Sequence, residues 1–270
     1  MKFRKIAALL LAIVAVLSLA VACAPKDEKS DLDYIKGKGK MVVGITYFAP
    51  MDYFDTDNTT LIGFDHDLAV AVCEKLGVTA VFQEINWDTK EDELNASTID
   101  CIWNGLTADA DRAASMSLSS YYMKNRQVVV VKKENAAALN TIEALAGKNG
   151  AAEAGSAGEE AIQKNEALKL VSVNAQSDAL LEVKSGTSDF CVIDSVMAKA
   201  MTEAPGSDFA ELTVVDTINM GDDEFYAIAF RKGSDVTAEV NKILAELYKD
   251  GTVASIAAKY GLTDVLQEIK

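Results

Sequence analysis

Residues 101–112 read CIWNGLTADADR. An apolar run stops abruptly at Asn104-Gly105, and Asp109 and Asp111 then open a stretch of helix formers, so the segment reads as a buried strand feeding the N-terminus of a helix. The residues upstream repeat this grammar. MVVGIT (41–46) is a strand by its β-branched content, YFAPMDYFDTDNTTLIG (47–63) a loop, FDHDLAVAVCEKLG (64–77) a helix, VTAVFQEI (78–85) a strand and WDTKEDELNAS (87–97) a short helix. Strand and helix in alternation at this spacing predict a parallel α/β sheet.

The rhythm recurs downstream. RQVVVVKKE (126–134) is β-rich, and residues 137–165 read as a helix, a weak strand, and a loop feeding another helix. LKLVSV (168–173), QSDALLEVKSG (176–186), SDFCVID (188–194) and SVMAKAMTEA (195–204) then alternate strand and helix. EFYAIAFRKGS (224–234) returns as a strand, followed by an amphipathic helix over 235–251 and a closing helix over 252–262. Two similar units predict a two-lobed α/β protein, crossed near 123–126 and again near 223–226. In such a fold a ligand sits beyond the carboxyl ends of the strands.

The first 22 residues are of a different kind. Lys2, Arg4 and Lys5 precede an apolar run from Ile6 to Ala22 broken only by Ser18, and small residues lead to Cys23. This reads as an export leader, and LAVAC resembles the lipobox of bacterial lipoproteins, which implies lipidation at Cys23; a plain uncleaved anchor is the alternative. The expected organisation is a leader (1–22), a flexible polar tether (23–39), a first lobe (40–123), a second lobe (124–225) and a return segment of the first (226–270). Removing the three cationic leader residues takes the formal charge from −15 to −18. That field repels nucleic acid and serves solubility. Cys73, Cys101 and Cys191 each sit in apolar runs as small hydrophobes, a Cys73–Cys101 bridge being the one pairing left open. With a single histidine, His66, read as a surface residue, there is no zinc pattern, and no metal or organic cofactor is expected.

The candidate site residues follow from strand ends. Arg112 can grip a carboxylate with two parallel bonds or simply pair with Asp109 or Asp111. Gly105 and Thr107, after Asn104 at the strand end, offer backbone groups at the same turn. Asp194 closes an apolar strand in the other unit, where it can receive an ammonium or cap the next helix. Ser156 and Ala157 stand at a helix start without the lysine of a phosphate loop. Phe48 and Trp87, each after a strand, can line a pocket.

Taken in order, VVGITYFAPMDY, LIGFDHDLAVAVCEKLGV, IDCIWNGLTADADR, AEAGSAGEEAI, SDFCVIDSVMAKA and EFYAIAFRKGS resemble the polar amino-acid family of bacterial solute-binding proteins, the extracytoplasmic receptors of ABC importers. The resemblance covers residue 40 to the C-terminus. It implies a periplasmic-binding-protein-like (type II) fold with the ligand cleft between lobes. It further implies Phe48 stacking on a free amino acid, Asn104, Gly105, Thr107 and Arg112 at its backbone groups, Ser156 and Ala157 on the far side, and Asp194 on its ammonium. The implied partners are a membrane permease and, through the lipid, the membrane; the implied state is a monomer without catalysis. The sequence departs from the family at the shortened first loop, at Met51, at Ala157, which lacks a hydroxyl, and at Ser120. Two alternatives stay open: a dehydratase-like enzyme using Glu224, Asp52 or Asp88 as acid or base, and a sensory lipoprotein.

Overall fold

The computed structural model describes residues 30–268; the leader and Cys23 lie outside the described residues. Helix α1 (Asp31–Lys38) leads into β1 (Lys40–Ile45). A short hairpin, β2 (Tyr53–Phe54) on β3 (Leu61–Ile62), precedes α2 (Phe64–Leu76) and β4 (Thr79–Glu84). A 3-10 turn (Trp87–Thr89), α3 (Lys90–Asn95), β5 (Cys101–Ile102), α4 (Ala110–Ser115) and β6 (Met116–Leu118) follow. The chain then passes through β7 (Met123–Asn125) into β8 (Gln127–Lys132), β9 (Asn149–Glu153), α5 (Ala157–Gln163), β10 (Lys169–Val173), α6 (Gln176–Ser185), β11 (Phe190–Asp194), α7 (Ser195–Glu203) and β12 (Leu212–Val214). It returns by β13 (Glu224–Tyr226) to β14 (Ala229–Arg231), α8 (Val236–Lys249) and α9 (Thr252–Lys259).

These strands build two five-stranded sheets, β4-β1-β5-β14-β6 and β10-β9-β11-β8-β12. Each has a parallel half, β4-β1-β5 and β10-β9-β11, completed by antiparallel strands. The molecule is therefore two-lobed. Where the chain crosses, β7 and β13 pair antiparallel, Met123 opposite Tyr226 and Asn125 opposite Glu224.

Local chemistry explains the elements. The four consecutive valines of β8 are all buried, since helices α5, α6 and α7 pack against this strand of the sheet. Helix α2 places Leu68, Ala69, Val72, Cys73 and Leu76 in the core and ends at Gly77, whose left-handed backbone closes it.

Three expectations are corrected, and the cysteines are found as read. Residues 31–38, read as part of a tether, form α1: the Ser30 hydroxyl caps it, Gly39 ends it, and Ile35 is fully buried. Residues 137–148, read as opening with a helix, hold only a 3-10 turn at Glu143–Leu145, because Gly147 turns the chain directly into β9. His66, read as surface, is half-buried, its ring stacked on Phe82 at 4.5 Å. Cys73, Cys101 and Cys191 are free, buried thiols; burial raises the Cys73 thiol to about 12.

Candidate functional site

The nine candidate ligand residues meet in one place. Phe48, Trp87, Asn104, Gly105, Thr107 and Arg112 from the first sheet's loops, and Ser156, Ala157 and Asp194 from the second's, line one cleft. It is nearly shut: the space open to a water molecule's centre is about 10 Å³. Tyr47 and Tyr53, from the same first loop, instead pack outside it, against Phe54 and Tyr260.

On the first wall, the loop after β5 is pinned from below. The Asn104 side chain accepts from the Thr46 N–H and hydroxyl at 3.1 and 2.8 Å, and donates to the Thr46 carbonyl and to Asp52. Asn104 therefore offers the cleft backbone rather than side chain. Gly105, expected to present a free N–H, donates it to Asp65 Oδ2 at 2.7 Å. Its backbone is left-handed at φ +57°, and an added Cβ would stand 2.5 Å from the Phe48 ring, so only glycine fits. The Thr107 hydroxyl donates to Glu224, and its N–H makes no hydrogen bond among the described residues.

Arg112 is buried and already paired. Asp109 caps α4 on the Arg112 N–H and also accepts from its guanidinium. Glu160, on the opposite wall, accepts from Nη2 at 2.8 Å, and the Gly155 carbonyl does so weakly at 3.4 Å. The Asp109 pairing foreseen as the alternative is thus realised without taking Arg112 out of the cleft. Beside it, Lys90 Nζ crosses the cleft to the Gly155 carbonyl at 2.8 Å and also bonds the Trp87 carbonyl. Burial, then the Arg112 charge, lowers Lys90 to about 8.

On the second wall, Asp194 occupies the cap position of α7 but makes no cap bond. Its carboxylate accepts instead from Asn125, Gln127 and Gln176. Burial, then Glu224, raises it to about 6, against the pull of those three donors. Glu224, on the crossing strand β13, accepts from Thr107, Asn125 and Gln127 at 3.1, 3.3 and 3.0 Å. A continuous polar chain thus joins the first wall to the Asp194 cradle through the crossing ribbon. Ser156 caps α5 through the Glu159 N–H, which leaves Ser156 and Ala157 facing the cleft at a helix start.

Residues 41–263 match the family model of the bacterial extracellular solute-binding proteins, family 3. The chain belongs to that family. Its relatives include the L-cystine-binding protein TcyA of Bacillus subtilis (strain 168), 30% identical over 95% of this chain and 98% of the relative. Among solved structures, an ABC uptake transporter substrate-binding protein from Streptococcus pneumoniae with bound histidine superposes at a TM-score of 0.81, with 33% identity over 89% of this chain and 99% of that one. The ancestral amino acid-binding protein AncCDT-1, a precursor of cyclohexadienyl dehydratase, superposes at 0.78, with 29% identity over 86% and 99% of the two chains. The two-lobed periplasmic-binding-protein-like fold and a solute-binding role are thereby shown for this chain. No helix among the described residues is long and apolar enough to cross a membrane.

Four residues that line this family 3 cleft escaped the sequence reading: Thr46, Leu106, Glu153 and Gln176. Glu153 carried a readable signal, since it closes the buried strand β9 as Asp194 closes β11. Gln176 opens a helix after a strand, which is the signal that found Ser156.

Proposed function

We propose that this chain is the lipid-anchored receptor of an amino-acid ABC importer, in which a first lobe (40–123 and 226–270) and a second (124–225) close on one free amino acid and pass it to a permease. Arg112, the Thr107 and Ala157 amides and Ser156 hold the α-carboxylate. Asp194 and the Gly105 carbonyl hold the α-ammonium, and Phe48 and Trp87 pack on the ligand. What carries the reading is that a buried cation and a buried carboxylate, on opposite walls, border the same cleft. Binding without turnover is favoured because Asp52 and Asp88 do not line the cleft and Glu224 is occupied by three donors. The anchor rests on the leader and Cys23, and cell fractionation of a Cys23→Ser variant tests it.

Calorimetry against a panel of amino acids on Arg112→Ala and Asp194→Ala tests the grip. Each truncation is expected to cost about 2–5 kcal/mol, roughly 30-fold to a few thousand-fold in affinity. Arg126→Ala, which breaks only the exposed pair with Asp216, is expected to cost less than about 1 kcal/mol. Circular dichroism checks folding, and mass spectrometry checks that the ligand is recovered unchanged. Binding of either cleft variant within about threefold of the parent, far short of the expected loss, would remove that residue from the site.

A further inference from the structure

A zwitterion held between Arg112 and Asp194 leaves one cleft group without a partner. Glu153 is 2% exposed and borders the cleft, yet its buried Oε1 has no hydrogen-bond partner. An unpaired buried carboxyl oxygen is unfavourable and rare in folded proteins, so its position in a ligand cleft needs a cause. The charged groups facing Glu153 come from three elements: Asp194 on β11, Asp178 on α6 and Lys90 across the cleft on α3. Lys90 does not complete it: Nζ is turned to the carbonyls of Trp87 and Gly155 and makes no hydrogen bond to Glu153. Gln176 does not complete it either, since its side chain is engaged on Asp194 from both ends. Two acids against one occupied lysine make this end of the cleft a place for positive charge.

We propose that Glu153 is the specificity-determining acceptor for a second cationic nitrogen, carried at the far end of the bound amino acid. The inference rests on the amino-acid reading above. The chemistry has two sources: a cationic side chain, as in arginine or ornithine, and the ammonium of a second amino-acid head, as in cystine. A neutral side-chain amide is the competing class. The two classes differ in protons. Burial, reinforced by Asp194, lifts Glu153 to about 8, so near neutral pH the free cleft holds a carboxylic acid. A cation displaces that proton to the buffer as the ion pair forms, whereas an amide leaves it in place.

Titration calorimetry of the full chain and of Glu153→Gln, with L-arginine, L-ornithine, L-cystine, L-glutamine and L-methionine in two buffers of different ionisation enthalpy, tests this. In the parent, at least one of the first three should bind about tenfold or more tightly than both neutral amino acids, with release of a proton. Preference for arginine and ornithine identifies a cationic side chain, and preference for cystine a second head. Glu153→Gln should lose about tenfold or more for the preferred ligand, change glutamine and methionine by less than about threefold, and abolish the proton release. Equal or tighter binding of the neutral amino acids by the parent, absence of proton release, or uniform weakening of all five ligands by the substitution would overturn it. The first two outcomes need no variant, so a misfolded Glu153→Gln would not shield the proposal. Failure of all five to bind the parent would instead overturn the receptor reading.

Discussion

Asp52 and Asp65 lie fully buried beneath the loop 104–107, and the cleft's first wall hangs from them. Asp65 Oδ2 accepts from the Gly105 N–H and, at 2.9 Å, from the Tyr122 hydroxyl; Asp52 Oδ2 accepts from Asn104 at 2.7 Å. The Trp103 indole N–H also favours the Asp65 charge, although no hydrogen bond of ordinary geometry forms. Burial dominates nonetheless, and lifts Asp65 to about 7; burial and the neighbouring Asp65 push Asp52 well above the usual carboxylate range. Both folded pKa values thus exceed those of the unfolded chain. The contribution of Asp65 to stability is fully present below about pH 4 and is lost as pH rises through about 7. Urea unfolding at pH 5 and pH 8 should show the parent losing stability with rising pH. Asp65→Asn keeps an acceptor for Gly105 and Tyr122 but cannot ionise, so its decline should be shallower; an equal decline would show that Asp65 does not titrate in this range. Little of this was legible in the sequence. Asp65 stands in the first turn of its helix, two residues after Gly63, the pattern of a solvated N-terminal acid, and only the turn 40 residues downstream buries it. The place of Asp194 was legible, because an acid ending an apolar parallel strand stands at the carboxyl edge of its sheet, where a cleft opens.

Among the elements, those whose signals are local were readable, and those stabilised from a distance were not. Helix α2 carries its acids, its apolar face and its terminal glycine within its own residues. Helix α1 carries caps and oriented charges too, with Asp31 and Asp33 at its start and Lys36 and Lys38 at its end, yet it has too few apolar residues to announce a packed helix. Its place is fixed by partners 200 residues away: Asp235 accepts from the Leu32 N–H, and Arg231 pairs with Asp31 while also donating to the carbonyls of Leu94 and Ile99. Ile35 joins the same core as β1 and α8. A tether residue would tolerate truncation within about 0.5 kcal/mol, whereas a buried isoleucine loses transfer energy and leaves a cavity. Ile35→Ala is therefore expected to cost about 2–4 kcal/mol in urea unfolding, and a cost inside the surface range would return 31–38 to the tether.

At the scale of the whole molecule, the closed cleft poses a question of access. A space that admits a water's centre over about 10 Å³ cannot be reached by an amino acid unless the walls part. Among the described residues, the chain crosses between sheets only through β7 and β13, three residues each, so this paired ribbon is where bending is least opposed. Gly155 is the point at which closure can be tested. Its carbonyl receives Lys90 and Arg112 from the opposite wall, and its backbone is left-handed at φ +70°. A Cβ there would stand 2.9 Å from the Asp88 Cα, where the two walls meet beside the cleft. Backbone cannot yield as a flexible side chain does, so the contact forbids this degree of closure but vanishes once the walls separate. The conformational penalty of about 1–2 kcal/mol for a non-glycine residue applies in both states; the clash applies only when closed. Gly155→Ala should therefore lower the stability of the ligand-free protein modestly, while weakening ligand binding by about tenfold or more. Small-angle scattering should show the parent contracting on addition of its amino acid and the variant failing to contract. A Gly155→Ala protein that contracts like the parent and binds within about threefold of it, a difference of less than about 1 kcal/mol, would mean that the ligand is held by a more open arrangement of the lobes than this one.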